Sequence, residues 1–152
     1  MSTIKYINGG LAFAHRALTD ARNGTPEQLH FVPEHGSHSI AWCLWHTARV
    51  EDLIMNARIR RTDQVWNEKW AERIGLPFEG FGTGQTDEEA QAVHIKDIAA
   101  LAEYQDAVWK QTSGFLDTAT DEQLETEMPT RTGTETWGEA ISLHMICLLY
   151  TS

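Results

Sequence analysis

The sequence is poor in cysteine, in basic residues and in long apolar runs. Cys43 and Cys147 are its two cysteines and lack CxxC spacing, so no thiol-based metal or redox motif is present. Its 12 basic against 22 acidic residues give a formal net charge of −10, which opposes binding to a phosphate backbone. The longest strongly apolar run, Ile40–Trp45, is far shorter than the roughly 20 residues that cross a bilayer. No apolar signal-peptide segment is seen at the N-terminus. We therefore expect a soluble, cytoplasmic protein that binds neither nucleic acid nor membranes.

The 152 residues of the chain fit one domain. Helical periodicity dominates the first half of the sequence. Apolar residues recur at helical spacing from Ile4 to about Arg22, which predicts helix one. Helix two is predicted to begin at a Ser37 or Ser39 N-cap and to end near Arg60.

The second half begins with a long glycine-containing connection over 62–84, which holds only a weakly helical patch around Trp66 and Trp70. Thr86 and Glu89 form a capping-box pattern, after which helix three runs to about Leu116, with or without a separate first turn. A polar link over 118–134 precedes a fourth helix capped by Thr136. With no sustained strand alternation, the pattern predicts an all-α four-helix bundle with a long crossover between helices two and three.

The fourth predicted helix is unusually short, because only about four turns remain before Ser152. The last six residues, 147–152, resemble the translation of a transposon end used to prepare sequencing libraries. We expect a bundle domain over 1–146 that is truncated in helix four, followed by an adapter-derived tail. The alternative, that these residues are native sequence, stays open.

His46 is the first candidate for chemistry. Trp42, Val50 and Leu53 share its helical face, so its side chain should point into the bundle. A buried imidazole needs partners for its ring nitrogens, and spacing alone favours a hydrogen-bonded core histidine over a metal ligand.

A second histidine, His144, occupies the predicted inward stripe of helix four with Ala140 and Ile141, which strengthens the metal interpretation. Catalytic transition-metal sites commonly take three protein ligands. The third ligand is expected one turn after His144, at the position held by Leu148. Leucine cannot ligate a metal, so the chain as it stands is expected to bind metal poorly or not at all.

Several segments together resemble the DinB-like superfamily, which includes metal-dependent thiol S-transferases and isomerases. The most telling is 39–52, with an apolar run, His46 and the acidic pair Glu51 and Asp52. The segments 64–66, 70–77 and 82–84 are similar to the crossover of one branch, and 137–144 resembles the start of the last helix.

This resemblance implies a homodimeric bundle in which a histidine triad holds a divalent transition metal, zinc or nickel. Carried over by residue, it makes His46 and His144 metal ligands; alternatively, His144 is the histidine that precedes the ligand pair by one turn. It also implies a small-molecule substrate, such as a low-molecular-weight thiol.

The remaining candidates are aromatic, imidazole or acidic side chains. Trp42, beside His46, is the first choice for lining a substrate pocket. His15 lies near the edge of the helix-one stripe; partial exposure is the simpler interpretation, but it can also face that pocket. Glu51 and Asp52 lie off the His46 face and are expected to pair with Arg49, Arg58 or a neighbouring helix.

Two functions of different classes follow. The first is a metal-dependent enzyme, of thiol S-transferase or hydrolase type, in which the metal activates a bound thiol or water. The alternative is a non-catalytic dimerising or ligand-binding bundle without a working metal site.

Overall fold

The computed structural model of the chain describes residues 2–146. Helix α1 spans Thr3–Ala21, close to the predicted helix one. A five-residue helix α2, Pro26–His30, follows in the link and begins with a capping box between Thr25 and Gln28. The predicted tail, 147–152, lies outside the described residues.

Helix α3 spans Ile40–Asp52 and carries the candidate histidine. Of the two predicted caps, Ser39 is the one used, because its hydroxyl accepts a hydrogen bond from the Trp42 amide at 3.0 Å. The helix continues as a π-helical segment, Leu53–Ile59, so the predicted end near Arg60 is confirmed.

The crossover contains two short helices joined by irregular loops. Helix α4, Glu68–Ile74, is capped by Asn67, and α5, Asp87–Gln91, starts with the predicted capping box of Thr86 and Glu89. A separate cap, Asp97, starts the long helix α6, Ile98–Thr118. The predicted separate first turn is therefore a helix of its own.

The last part of the described chain departs from the predicted link. After α7, Asp121–Leu124, strands β1 (Glu127–Pro129) and β2 (Thr134–Thr136) pair antiparallel, with Met128 opposite Glu135. Thr136 then caps the last helix, which comprises α8, Trp137–Glu139, and a π-helical segment, Ala140–Ile146. The predicted cap is confirmed. The predicted polar link contains this small hairpin, whose three-residue strands are too short to show alternation in the sequence.

The long helices bury two neighbouring apolar clusters, so the predicted helical class is confirmed. Helix α6 packs on α3 and α1, and the last helix packs on α1 and α3. One cluster joins α3 to the crossover through residues such as Trp45, Trp66 and Ile74. The other joins α1, the π-helical end of α3 and the last helix. None of the helices within residues 2–146 is both long and apolar enough to span a membrane.

Candidate functional site

His46 is held against the crossover, on the side of α3 that faces the loop 78–85. Its side chain is buried, and its Nδ1 lies 2.5 Å from the carbonyl oxygen of Phe81. The predicted burial of His46 is confirmed. Its neighbour across the face is a loop backbone, where the sequence pattern predicted other helices.

This hydrogen bond fixes the tautomer of the His46 imidazole. A carbonyl oxygen can only accept, so Nδ1 carries the proton and Nε2 carries the free lone pair. Among the described residues, Nε2 has no hydrogen-bond partner. Burial lowers the pKa of His46, with a further lowering from His38, and these outweigh the opposing effect of the Phe81 carbonyl. The ring is therefore neutral at pH 7.

Three aromatic rings contact one another at this part of α3. The centroid of the Trp42 indole lies 4.1 Å from that of the His38 imidazole and 4.5 Å from that of the His46 imidazole. Trp42 Nε1 donates a hydrogen bond to Gln85 Oε1 at 2.8 Å. Trp42 therefore lies beside His46 and also ties the crossover to α3, while its place in a substrate pocket stays a prediction.

The same loop is bound by two further side chains. Arg49 Nη1 donates to the carbonyl oxygen of Gly80, and Trp66 Nε1 donates to that of Phe78 at 2.8 Å. Gly82 allows the loop to come this close, because it has a φ of +96° and a Cβ there would lie 2.9 Å from His46 Nδ1. The loop backbone therefore helps α3 to position the His46 ring.

His144 does not point into the bundle as predicted. Its side chain is 51 % exposed, and its Nε2 lies 2.9 Å from Glu135 Oε2 in strand β2. Glu135 also pairs with Arg58 at 2.9 Å. Arg58 follows His46 by twelve residues, which is roughly 18 Å along a helix at 1.5 Å per residue. The structure therefore does not bring His46 and His144 together.

His15 is buried, so the predicted partial exposure was wrong. Its Nε2 lies 2.8 Å from Glu51 Oε2, and its ring stacks on Trp109 with centroids 4.1 Å apart. It lines a cavity of about 370 Å³ together with Arg22 and Asp106. Glu51 follows His46 by five residues, or about 140° around the helix, so His15 meets α3 on a different side from the His46 face.

The acidic pair after His46 contacts neighbouring helices, which was one of the expected alternatives; among the described residues neither carboxylate forms an ion pair with Arg49 or Arg58. Glu51 pairs with α1 through His15, and Asp52 accepts hydrogen bonds from the crossover and from Tyr104 of α6. Sequence reasoning gave Arg49 no functional role of its own. The available signal was its spacing, because Arg49 follows His46 by three residues and therefore lies on nearly the same face.

Comparison with known proteins places the chain in a family. The sequence model of the DinB superfamily matches residues 13–145, which is most of the chain. The chain belongs to the DinB superfamily. Among solved structures, it is similar to a conserved protein from Enterococcus faecalis, with a TM-score of 0.82 and 26 % sequence identity. That match covers 99 % of this chain and 91 % of the other. No curated protein matches significantly.

For a DinB-superfamily chain, the question is whether the residues present fit a metal ion. His46 fits, since its Nε2 carries the lone pair while Nδ1 donates to a carbonyl, the arrangement typical of ligating histidines. Within residues 2–146, however, no group of three or more His, Cys, Asp or Glu side chains is arranged to hold an ion. The predicted third position, Leu148, lies outside the described residues. The described part of the chain thus supplies one oriented imidazole and an incomplete ligand set.

Proposed function

We propose that the chain is a metal-dependent enzyme of the DinB superfamily, of thiol S-transferase or hydrolase type, with His46 as a ligand of zinc or nickel. The observation that supports this is the hydrogen bond from Nδ1 to the Phe81 carbonyl, which leaves Nε2 as the basic nitrogen. The lowered pKa of His46 favours the neutral ring that a metal requires.

Within residues 2–146, His46 is the side chain proposed as a ligand, because no group of three or more ligating side chains is arranged there to hold an ion. The substrate is proposed to be a small molecule, with a low-molecular-weight thiol as nucleophile or leaving group, and the working form a cytoplasmic homodimer. The strongly acidic composition argues against nucleic acid as a partner.

Two substitutions separate the ligand role of His46 from its structural role. In His46→Asn the side-chain amide nitrogen takes the place of Nδ1, so the hydrogen bond to Phe81 can be kept while the metal-binding atom is removed. In His46→Gln the amide nitrogen instead approaches the position of Nε2, and the hydrogen bond to the loop is lost. His46→Asn therefore tests metal binding by Nε2, and His46→Gln tests the hydrogen bond to the Phe81 carbonyl.

We expect the unsubstituted chain to bind Zn²⁺ or Ni²⁺ weakly but saturably in isothermal titration calorimetry, since one imidazole is in place. His46→Asn should weaken this binding at least about tenfold, which is about 1.4 kcal/mol, while its melting temperature stays near that of the unsubstituted chain. His144→Asn is the matched control and should bind as the unsubstituted chain does, because His144 lies at a different position along the bundle.

Equal metal affinity in His46→Asn and the unsubstituted chain would contradict the ligand role. A second function, a ligand-binding bundle without a metal site, is favoured by the incomplete ligand set among the described residues. That function predicts no saturable metal binding, together with a lower melting temperature in His46→Gln than in His46→Asn.

A further inference from the structure

A second site lies under the crossover, where Arg49 lines a cavity of about 970 Å³. The walls come from the end of α3, the start of α4 and the loop that His46 contacts. Trp66 and Phe78 supply apolar surface, and Gln64 and Lys69 supply polar groups. This volume accommodates a small organic molecule.

Arg49 is an unusual wall residue because it is only 6 % exposed and forms no ion pair with a carboxylate of the described chain. Its Nη1 donates to the Gly80 carbonyl, and its guanidinium lies 4.3 Å from the centre of the Trp66 ring. Its Nε is buried without any hydrogen-bond partner, and among residues 2–146 no carboxylate oxygen lies within ion-pair distance of it. A buried guanidinium without a direct counter-ion is costly.

Asp52 is a carboxylate that acts electrostatically on Arg49, and its oxygens are already occupied. Burial lowers the pKa of Arg49, while Tyr104 and Asp52 act in the opposite direction. However, Oδ1 of Asp52 accepts from Asn56 and Val65, and Oδ2 accepts from Trp66 and Tyr104. With two donors on each oxygen, Asp52 cannot also serve as the direct partner of Arg49.

The rim of the cavity has the opposite character. Three exposed carboxylates lie around it, those of Asp63, Glu68 and Glu79, with Lys69 among them. Gln64 Oε1 is buried without a hydrogen-bond partner in the described chain, so an unused acceptor lies in the same wall. The residues that line the cavity therefore combine one buried guanidinium with three exposed carboxylates and one exposed ammonium group.

We propose that this cavity binds a small zwitterionic amino carboxylate, whose carboxylate meets Arg49 and whose ammonium group meets the rim carboxylates. Trp66 and Phe78 would pack against an apolar side chain of the ligand. A phosphate-bearing ligand fits less well, because two negative charges would pass three carboxylates on the way to a single guanidinium. The site is separate from the proposed metal ligand, since His46 is not among the residues that line this cavity.

The test uses L-leucine as probe, together with three compounds that each lack one of its features or replace it. Leucinamide lacks the carboxylate, N-acetyl-leucine lacks the ammonium group, and inorganic phosphate is a plain anion. Binding is followed by the NMR signal of the Trp66 indole Nε1–H, whose ring lies under Arg49. We expect saturable shifts with leucine and at least about tenfold weaker binding of leucinamide and N-acetyl-leucine. Phosphate should give no saturable shift at this signal.

Substitution of the buried cation gives the second arm. Arg49→Met keeps much of the side-chain volume without the charge and should lose leucine binding at least about tenfold, whereas Arg73→Gln, an exposed cation on the neighbouring α4, should not. No saturable shift with leucine, or equal binding of leucine and leucinamide, would overturn the proposal. Phosphate binding as tight as that of leucine would also overturn it, in favour of a general anion site. Should Arg49→Met fail to fold, the four compounds on the unsubstituted chain decide the question.

Discussion

Replacing Asp52 by asparagine is expected to lower the free energy of unfolding by about 2–4 kcal/mol. Asp52 is fully buried and joins three parts of the chain, with acceptor distances of 2.7–2.9 Å to Asn56, Val65, Trp66 and Tyr104. The NH2 group of an asparagine cannot accept a hydrogen bond, so the two donors that face the substituted oxygen lose their partner or must turn away. The backbone amides of Val65 and Trp66 cannot turn away, because they are fixed in the backbone of the crossover.

Urea unfolding followed by circular dichroism measures this loss. Asp117→Asn, at an exposed position of α6, is the matched control and should change stability by less than about 0.5 kcal/mol. Hydrogen exchange provides a local readout, because the amides of Val65 and Trp66 should lose protection first in Asp52→Asn. A stability within about 0.5 kcal/mol of the unsubstituted chain would show that Asp52 does not anchor the crossover.

Gly82→Ala is expected to cost about 2–4 kcal/mol, because two independent penalties combine at this position. The φ of +96° is strained for any residue with a Cβ. In addition, the new Cβ would lie 2.9 Å from both His46 Nδ1 and Trp42 Cζ2 and 3.2 Å from Trp45 Cζ3. The loop must therefore move away from α3, which breaks the hydrogen bond from His46 Nδ1 to the Phe81 carbonyl that sets the His46 tautomer.

Gly84→Ala separates the two penalties. Gly84 also has a positive φ, of +82°, but nothing lies within 4 Å of a Cβ built there, so only the backbone strain of about 1 kcal/mol applies. Chemical denaturation of the two variants side by side gives the difference. Equal losses in both would mean that the loop does not press on His46 and Trp42.

The features that sequence could predict are those set by local periodicity and capping. Residues within one or two turns predict Thr136 as the cap of the last helix and the burial of His46. They also narrow the cap of α3 to Ser37 or Ser39, of which the structure uses Ser39. The partner of His46 could not be predicted in this way, because Phe81 lies 35 residues away in a loop without any periodic pattern.

His144 shows how local reasoning failed. The prediction placed it on an inward stripe by assuming α-helical spacing from Ala140. The segment is π-helical, with hydrogen bonds between residues five apart, so the positions that share a face change. Met145, five residues after Ala140, is buried, whereas His144, four residues after it, is exposed. The substitution of a π turn for an α turn is not visible in the order of apolar residues.

Arg49 illustrates a different limit. Its sequence neighbours indicate only a cation near the inward face of α3. Arg49 lacks a direct counter-ion among the described residues because the oxygens of Asp52 already accept hydrogen bonds from three other parts of the chain. The absence of an ion-pair partner depends on tertiary contacts and therefore cannot be predicted from the spacing of residues in the sequence.

Nitrogen-15 NMR of the imidazole rings is the decisive measurement for the tautomer and the ligand role of His46, because it reports the protonation of each ring nitrogen. At pH 7 the structure predicts a protonated Nδ1 and a bare Nε2 for His46, and added Zn²⁺ should shift the Nε2 signal of His46 before that of His144. A His46 ring protonated at Nε2, or an Nε2 signal unaffected by zinc at concentrations that shift other histidines, would rule out the proposed ligand role of His46.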